Sequence, residues 1–293
     1  MVIIYSLHSP LAEVNLIMNT VTEYLYPSSL KEALLHLSKE STGIIAGGTH
    51  ISTSSHSYTR LVDITRLNLN YITQKHDKIL IGSTTTISEI LDSPIVRKIG
   101  DGILTMACNL IGDTPLRNVI TLGGNIARFF PWAGLPAALL VLDAEIVIID
   151  HTESSKVVIA EEYFNLGKLN QGEIIKEVIF PIRSDWFSRY EKFALTTVDY
   201  AWLTLALSVK MNQGAVEKSR IAISRIAKHS RLPEVEEMMI GVQIDDLEIE
   251  KLVTKIKESV NIVPDYRSSK KYRKQLLGIL FKRMLSEMKE TVY

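Results

Sequence analysis

The chain has 293 residues, and its 33 basic residues balance 33 acidic ones. At ~150 residues per domain that length suggests two domains with substantial cores, and an apolar share of 46% with 23% charged residues excludes intrinsic disorder. Zero net charge removes the long-range attraction expected of a nucleic-acid or membrane-surface binder, and the single cysteine, Cys108, excludes a disulfide framework, an iron–sulfur cluster or a cysteine-rich zinc site built from this chain alone.

In chain order, residues 1–20 show neither caps nor periodicity and read as an N-terminal extension. No Lys or Arg precedes Lys31, so the positive region of a signal peptide is missing. Ser29-Leu-Lys-Glu32 is a capping box that opens a helix through Leu30, Ala33, Leu34 and Leu37. A short apolar strand over 43–46 runs into Gly47-Gly48, and 61–64 and 78–81 read as strands. Thr86-Ile-Ser-Glu89 is a second capping box, and Ile95, Ile99, Ile103, Met106, Ala107 and Leu110 suggest one long helix. The longest uncharged apolar run, 129–142, contains Pro131 and Pro136 and falls short of the ~20 residues a membrane span needs, so a cytoplasmic protein without a span is expected.

Strands follow over 145–149, 157–159 and 174–180, where β-branched residues dominate. The order lacks a regular βαβ repeat, so the fold class is α+β. A boundary near residue 184 separates a first domain, 21–183, made of two α+β subdomains, from a second, 184–293. The second reads as strands over 189–196, 200–211 and 219–226, with Asn212-Gln-Gly214 as a turn, then helices over 233–240, 246–260 and 269–290. In the last helix Tyr272, Leu276, Ile279, Leu280 and Met284 form a packing stripe. The basic run 267–274 is a solvated face or a docking patch for an acidic partner.

Two glycine-rich turns carry the chemistry. In Ile44-Ile-Ala-Gly-Gly-Thr-His-Ile51 a strand ends in two residues without Cβ. Backbone can approach a ligand there, and successive N–H groups can face one concavity, although Gly-Gly-Thr also makes plain turns. In Asn118-Val-Ile-Thr-Leu-Gly-Gly-Asn-Ile-Ala127, Thr121, Gly123, Gly124 and Asn125 again join bare backbone to short hydrogen-bonding side chains. With both placed at strand ends, a diphosphate between two backbone nests is the simplest reading. Gly43-x4-Gly48-Thr49 lacks the lysine of a P-loop, and no Gly-x-Gly-x-x-Gly occurs. His50 and His56 have no third partner at metal-ligand spacing, and no nucleophile motif is present, so neither metal nor catalytic residues are expected.

These segments resemble a known family. Ala46-Gly-Gly-Thr49, Ile111-Gly-Asp-Thr-Pro-Leu-Arg-Asn-Val-Ile-Thr-Leu-Gly-Gly-Asn-Ile-Ala127 and Leu135-Pro-Ala-Ala-Leu-Leu-Val-Leu-Asp-Ala-Glu-Ile146 are similar to the FAD-binding medium subunit of molybdenum hydroxylases, the group of carbon monoxide and xanthine dehydrogenases. The resemblance continues through Tyr190-Glu-Lys-Phe193, Asp199-Tyr-Ala201, Ser219-Arg-Ile-Ala-Ile223 and the segment from Asp265 to Arg273. It implies a vanillyl-alcohol-oxidase-type (PCMH) FAD-binding domain followed by a small domain with a three-stranded antiparallel sheet and helices. It further implies FAD, with Ile44, Ile45, Ala46, Gly47, Gly48, Thr49, His50 and Ile51 as one diphosphate loop and Thr121, Leu122, Gly123, Gly124 and Asn125 as the other. Ile111 and Ile175 would be apolar walls, Lys192 would lie near the flavin, and Arg128 could pair with a phosphate.

As partners the resemblance implies a molybdopterin-binding large subunit, an iron–sulfur small subunit, and an acceptor such as NAD, a quinone, ferredoxin or oxygen. A stand-alone flavin oxidoreductase and a scaffold with weakened FAD binding are the alternatives. The second is motivated by two departures from the family pattern, Phe130 for a small or polar residue and Gly134 for an aspartate; Arg128 for His, Asn or Thr and His50 for Asp, Asn or Ser depart from it as well. Loss of one charge-assisted hydrogen bond at Gly134 would cost ~1.5–3 kcal/mol.

Overall fold

A computed structural model describes residues 21–51, 58–131, 133–183, 185–224, 229–264 and 268–291. The expected N-terminal extension, His56 and the part of the closing motif at 265–267 lie outside the described residues.

The chain opens with β1 (Glu23–Leu25), α1 (Leu30–Leu37), β2 (Thr42–Ile45) and β3 (Arg60–Asp63). The three strands form a parallel sheet in the order β1-β3-β2. Ser29 caps α1 by accepting from Glu32 N, while the Glu32 carboxylate reaches back to Ser28 rather than Ser29. Helix spacing then puts Ala33, Leu34 and Leu37 on the face that packs with Val62 and Ile64 of the sheet.

Next come β4 (Ile72–Lys75), β5 (Lys78–Gly82), α2 (Ile87–Asp92), α3 (Ile103–Asn109), α4 (Thr114–Arg117), α5 (Leu122–Ile126) and α6 (Leu135–Val141). They are followed by β6 (Glu145–Ile149), β7 (Ser155–Ile159), α7 (Ala160–Leu166) and β8 (Ile174–Pro181). An antiparallel sheet in the order β4-β5-β8-β6-β7 gathers these strands. The single helix expected across 95–110 is instead two 3₁₀ turns and the short α3, because Gly100, Asp101 and Gly102 all take positive φ of 50°, 55° and 75°. Within the apolar run 129–142, Leu135–Val141 form α6, buried at every position of the helix, which packs against α3 and against the second unit's sheet. A helix apolar all round is the expected solution for an element enclosed between two layers.

The second unit consists of β9 (Trp186–Phe193), β10 (Leu203–Asn212), β11 (Ala215–Ser224), β12 (Ser230–Arg231), α8 (Pro233–Glu237), α9 (Ile249–Ser259) and α10 (Lys270–Thr291). The three long strands pair antiparallel as expected, and two-residue β12 adds a fourth at the edge, giving β12-β11-β10-β9. Gln213 and Gly214, with φ of 50° and 78°, form the turn between β10 and β11, the two-positive-φ geometry that matches strand twist. Leu203, Leu205, Leu207 and Val209 alternate onto the face covered by Leu277, Phe281 and Met284 of α10. Among the described residues no helix is long and apolar enough to cross a membrane.

An ionic knot joins the units. Asp143 takes positive φ (49°) just after α6. Its carboxylate accepts from Arg183 Nη2 at 2.6 Å and Arg220 Nε at 3.1 Å, with Arg231 Nη1 at 3.6 Å. Arg231 also pairs with buried Glu236, whose Oε1 accepts from Ile221 N at 2.8 Å.

Candidate functional site

The first glycine loop leaves the C-terminal end of β2 and lies directly against the segment that leads into α5. A Cβ on Gly47 would sit 1.7 Å from Val119 O, so only glycine permits this approach. Gly48 takes φ of +71° with open space where a Cβ would be. The backbone N–H groups of Gly47, Gly48 and Thr49 find no acceptor among the described residues. Adjacent, unspent N–H groups in a turn form a concavity suited to oxyanions.

The second glycine segment is built differently from the expected nest at a strand end. It is the first turn of α5, with Thr121 as its cap: Thr121 Oγ1 accepts from Gly124 N at 3.1 Å. Leu122 N donates to Thr85 O at 2.9 Å, Gly123 N to Ser83 O at 2.8 Å, and Asn125 N to Thr121 O at 2.9 Å. Its backbone donors are therefore spent inside the protein. The glycines serve close packing instead, since a Cβ on Gly123 would lie 2.7 Å from Ser83 Cβ and one on Gly124 2.8 Å from Thr121 Oγ1. What this segment offers a ligand is side-chain chemistry, including Asn125, whose buried Oδ1 has no partner among the described residues.

Both segments line one cleft of about 840 Å³. Every expected binding residue borders it except Ile45, which sits in the sheet opposite Asp63, and Leu122, which is fully buried in the core. Ile111 and Ile175, both buried, supply apolar wall. Lys192, on β9, crosses from the second unit: its Nζ donates to Leu110 O at 2.8 Å and Thr197 O at 2.9 Å. Burial pulls its pKa below the ordinary lysine value, against the opposing pull of Asp199. The His50 and Phe130 rings meet edge to face at 4.8 Å in the cleft wall.

Phe130 is pinned from behind. Its carbonyl accepts from His229 Nε2 at 3.0 Å, and His229 Nδ1 meets Ser224 Oγ at 2.8 Å. Because a carbonyl can only accept, Nε2 carries the proton and Nδ1 takes the serine hydroxyl's hydrogen. Gly134, where a carboxylate was expected, has Ile111 Cγ1 3.1 Å from its would-be Cβ, and its carbonyl accepts from Tyr190 Oη at 2.5 Å.

Sequence reasoning missed several lining residues. Tyr58, Ser83, Lys168, Val198, Tyr200 and Thr204 come from loops and strands brought in by tertiary packing. One signal was available: the run Ser83-Thr84-Thr85-Thr86 is too polar for a continuing strand, and Ser83, Thr84 and Thr85 are buried. Cys108, by contrast, is fully buried in the core with its pKa pushed up by burial, which is the profile of an inert packing residue.

Residues 19–183 match the model described as "FAD binding domain in molybdopterin dehydrogenase", and residues 188–288 match "CO dehydrogenase flavoprotein C-terminal domain". The glyceraldehyde dehydrogenase medium chain of Sulfolobus acidocaldarius is 29% identical over 277 residues, covering 90% of this chain and 97% of that one. The carbon monoxide dehydrogenase medium chain of Afipia carboxidovorans is 24% identical, covering 91% and 96%. A solved carbon monoxide dehydrogenase of Hydrogenophaga pseudoflava superposes with a TM-score of 0.84 at 26% identity, over 91% of this chain and 96% of that one. The first family model alone takes in more than half of the residues, and the chain therefore belongs to the FAD-binding medium subunits of the molybdenum hydroxylases, an oxidoreductase family whose cofactor here is FAD.

Proposed function

We propose that this chain is the flavin relay of a heteromeric molybdenum hydroxylase. It receives electrons from the iron–sulfur clusters of a small partner subunit, fed in turn by a molybdopterin-binding large subunit, and passes them to an external acceptor such as NAD, a quinone, ferredoxin or oxygen. Bound FAD supplies redox chemistry that amino-acid side chains lack.

The residues present fit that cofactor. The N–H groups of Gly47, Gly48 and Thr49, which have no acceptor among the described residues and border the cleft, would donate to the diphosphate, and the Thr49 hydroxyl would add a donor. Thr121, Gly123, Gly124 and Asn125 line the same cleft, and Ile44, Ala46, His50 and Ile51 would flank the phosphates. Ile45 and Leu122 brace the two segments from within the sheet and the core. Ile111 and Ile175, which line the cleft, would keep water from the flavin, and Lys192 would hold a positive charge beside it. The observation that carries the reading is the row of N–H donors, without acceptors among the described residues, that borders the same cleft as a capped, glycine-tight helix turn.

One cysteine in the sequence, buried at Cys108, means that clusters must come from other chains. Purification of the native complex, with assay of FAD, molybdenum and iron, tests the proposal. Near-stoichiometric FAD together with both metals is expected. A colourless chain that takes up no added FAD would sink it, and co-purification of partners with little flavin would favour the scaffold alternative.

A further inference from the structure

Arg128 follows α5 and lines the cleft that the unspent N–H groups of Gly47, Gly48 and Thr49 also border. It is half-buried and makes no ion pair with any carboxylate among the described residues. Its one hydrogen bond there runs from Nη2 to Tyr58 Oη at 3.3 Å. Tyr58 is itself well seated, since a Cβ on Gly43 would lie 3.0 Å from its ring. The contact therefore joins the segment just before β3 to the residues after α5, both of which border the cleft.

A guanidinium has five N–H donors in a planar fork and stays charged at any working pH. The phenol takes one of them. The two carboxylates that border the cleft are engaged elsewhere: Glu173 accepts from Lys156 and Asn170, and Asp199 accepts from Thr196 N. A half-buried cation without a counter-ion is costly, and the cost falls when an anion enters. The backbone concavity offers dipoles but no net charge, whereas a dinucleotide diphosphate brings two negative charges.

We infer that Arg128, oriented by Tyr58, is the counter-charge for the diphosphate and the residue that makes the cleft select dinucleotide flavin over flavin lacking the second phosphate and nucleoside. This rests on the FAD reading above and adds to it a residue that carries ligand selection. It also offsets the missing carboxylate at Gly134: where the family pattern has an aspartate contact, this chain uses a cation on the phosphates.

The test is titration calorimetry on the full-length apoprotein with FAD, ADP, FMN and riboflavin at low and high salt, for the parent chain, Arg128→Gln, Arg128→Lys and Tyr58→Phe. Melting curves check that each variant is folded. Arg128→Gln is expected to weaken FAD and ADP about tenfold to a hundredfold, the worth of one charge-assisted contact. Riboflavin binding should stay within about twofold, and the salt dependence of FAD binding should flatten. Arg128→Lys should recover part of the loss, and Tyr58→Phe should cost less than Arg128→Gln. Equal loss for riboflavin and FAD, or FAD affinity unchanged in Arg128→Gln, overturns the role of Arg128 and leaves the flavin reading standing. A parent chain that binds neither FAD nor ADP overturns both.

Discussion

Gly47 and Gly48 are neighbours that owe their lack of a side chain to different constraints. At Gly47 a methyl would collide with main chain at 1.7 Å, which no rotamer relieves; at Gly48 the space is open and only the positive φ of +71° resists an L-residue. Gly48→Ala is expected to cost ~1 kcal/mol and leave FAD binding largely intact. Gly47→Ala must push the loop off Val119 and should abolish flavin retention, read as loss of the visible flavin spectrum in purified protein. His229 gives a second expectation at this scale. Burial holds its pKa at about 4 against an ordinary 6.5, although its bond to the Phe130 carbonyl acts in the opposite sense. The unfolded chain takes up a proton near pH 6.5 that the folded chain refuses until about pH 4. Stability is therefore full above pH 6.5 and declines by ~3 kcal/mol on acidification to pH 4. Urea melts between pH 4 and 7 should show that slope, and His229→Gln should flatten it.

Among the elements, the Asp143 knot ties α6 to the second unit's sheet. One carboxylate faces three guanidinium groups, so its removal takes the carboxylate partner from Arg183 and Arg220 and leaves them their bonds to the Val141 and Ser219 carbonyls. Asp143→Ala should destabilise the chain by ~1–3 kcal/mol, measured as a lower urea midpoint with unchanged slope. Much at this scale was legible in the sequence. Thr86 and Glu89 form the full reciprocal capping box that their spacing announced, and the alternation along β10 is visible from Leu203 to Val209. Where reading failed, a local rule met a tertiary demand. The apolar spacing from Ile95 to Leu110 is genuine burial, yet Gly100-Asp101-Gly102 breaks the helix that the spacing suggested. The second glycine motif borders the cleft, but its Leu122 and Gly123 donors are spent on Thr85 and Ser83, residues more than thirty positions away that no local pattern connects to it. Tyr58 and Arg128 meet across 70 residues for the same reason.

For the whole molecule, the cleft is a joint property of the two units. Gly47 and Gly124 come from the first, Lys192, Tyr200 and Thr204 from the second, and Lys192 links them by donating to Leu110 O. A ligand that binds only when both walls are in place stabilises the entire chain. At free FAD a hundredfold above its dissociation constant the gain is ~2.7 kcal/mol, or a rise in melting temperature of roughly 5–10 °C. Differential scanning calorimetry with and without FAD should show one transition moving as a whole; a shift confined to part of the unfolding profile would contradict the shared wall. The placement of Lys192 also bears on biosynthesis. A nascent polypeptide that has not yet emerged as far as β9 presents a trough with one bank missing, so flavin capture belongs to the completed chain, after translation has passed the second unit.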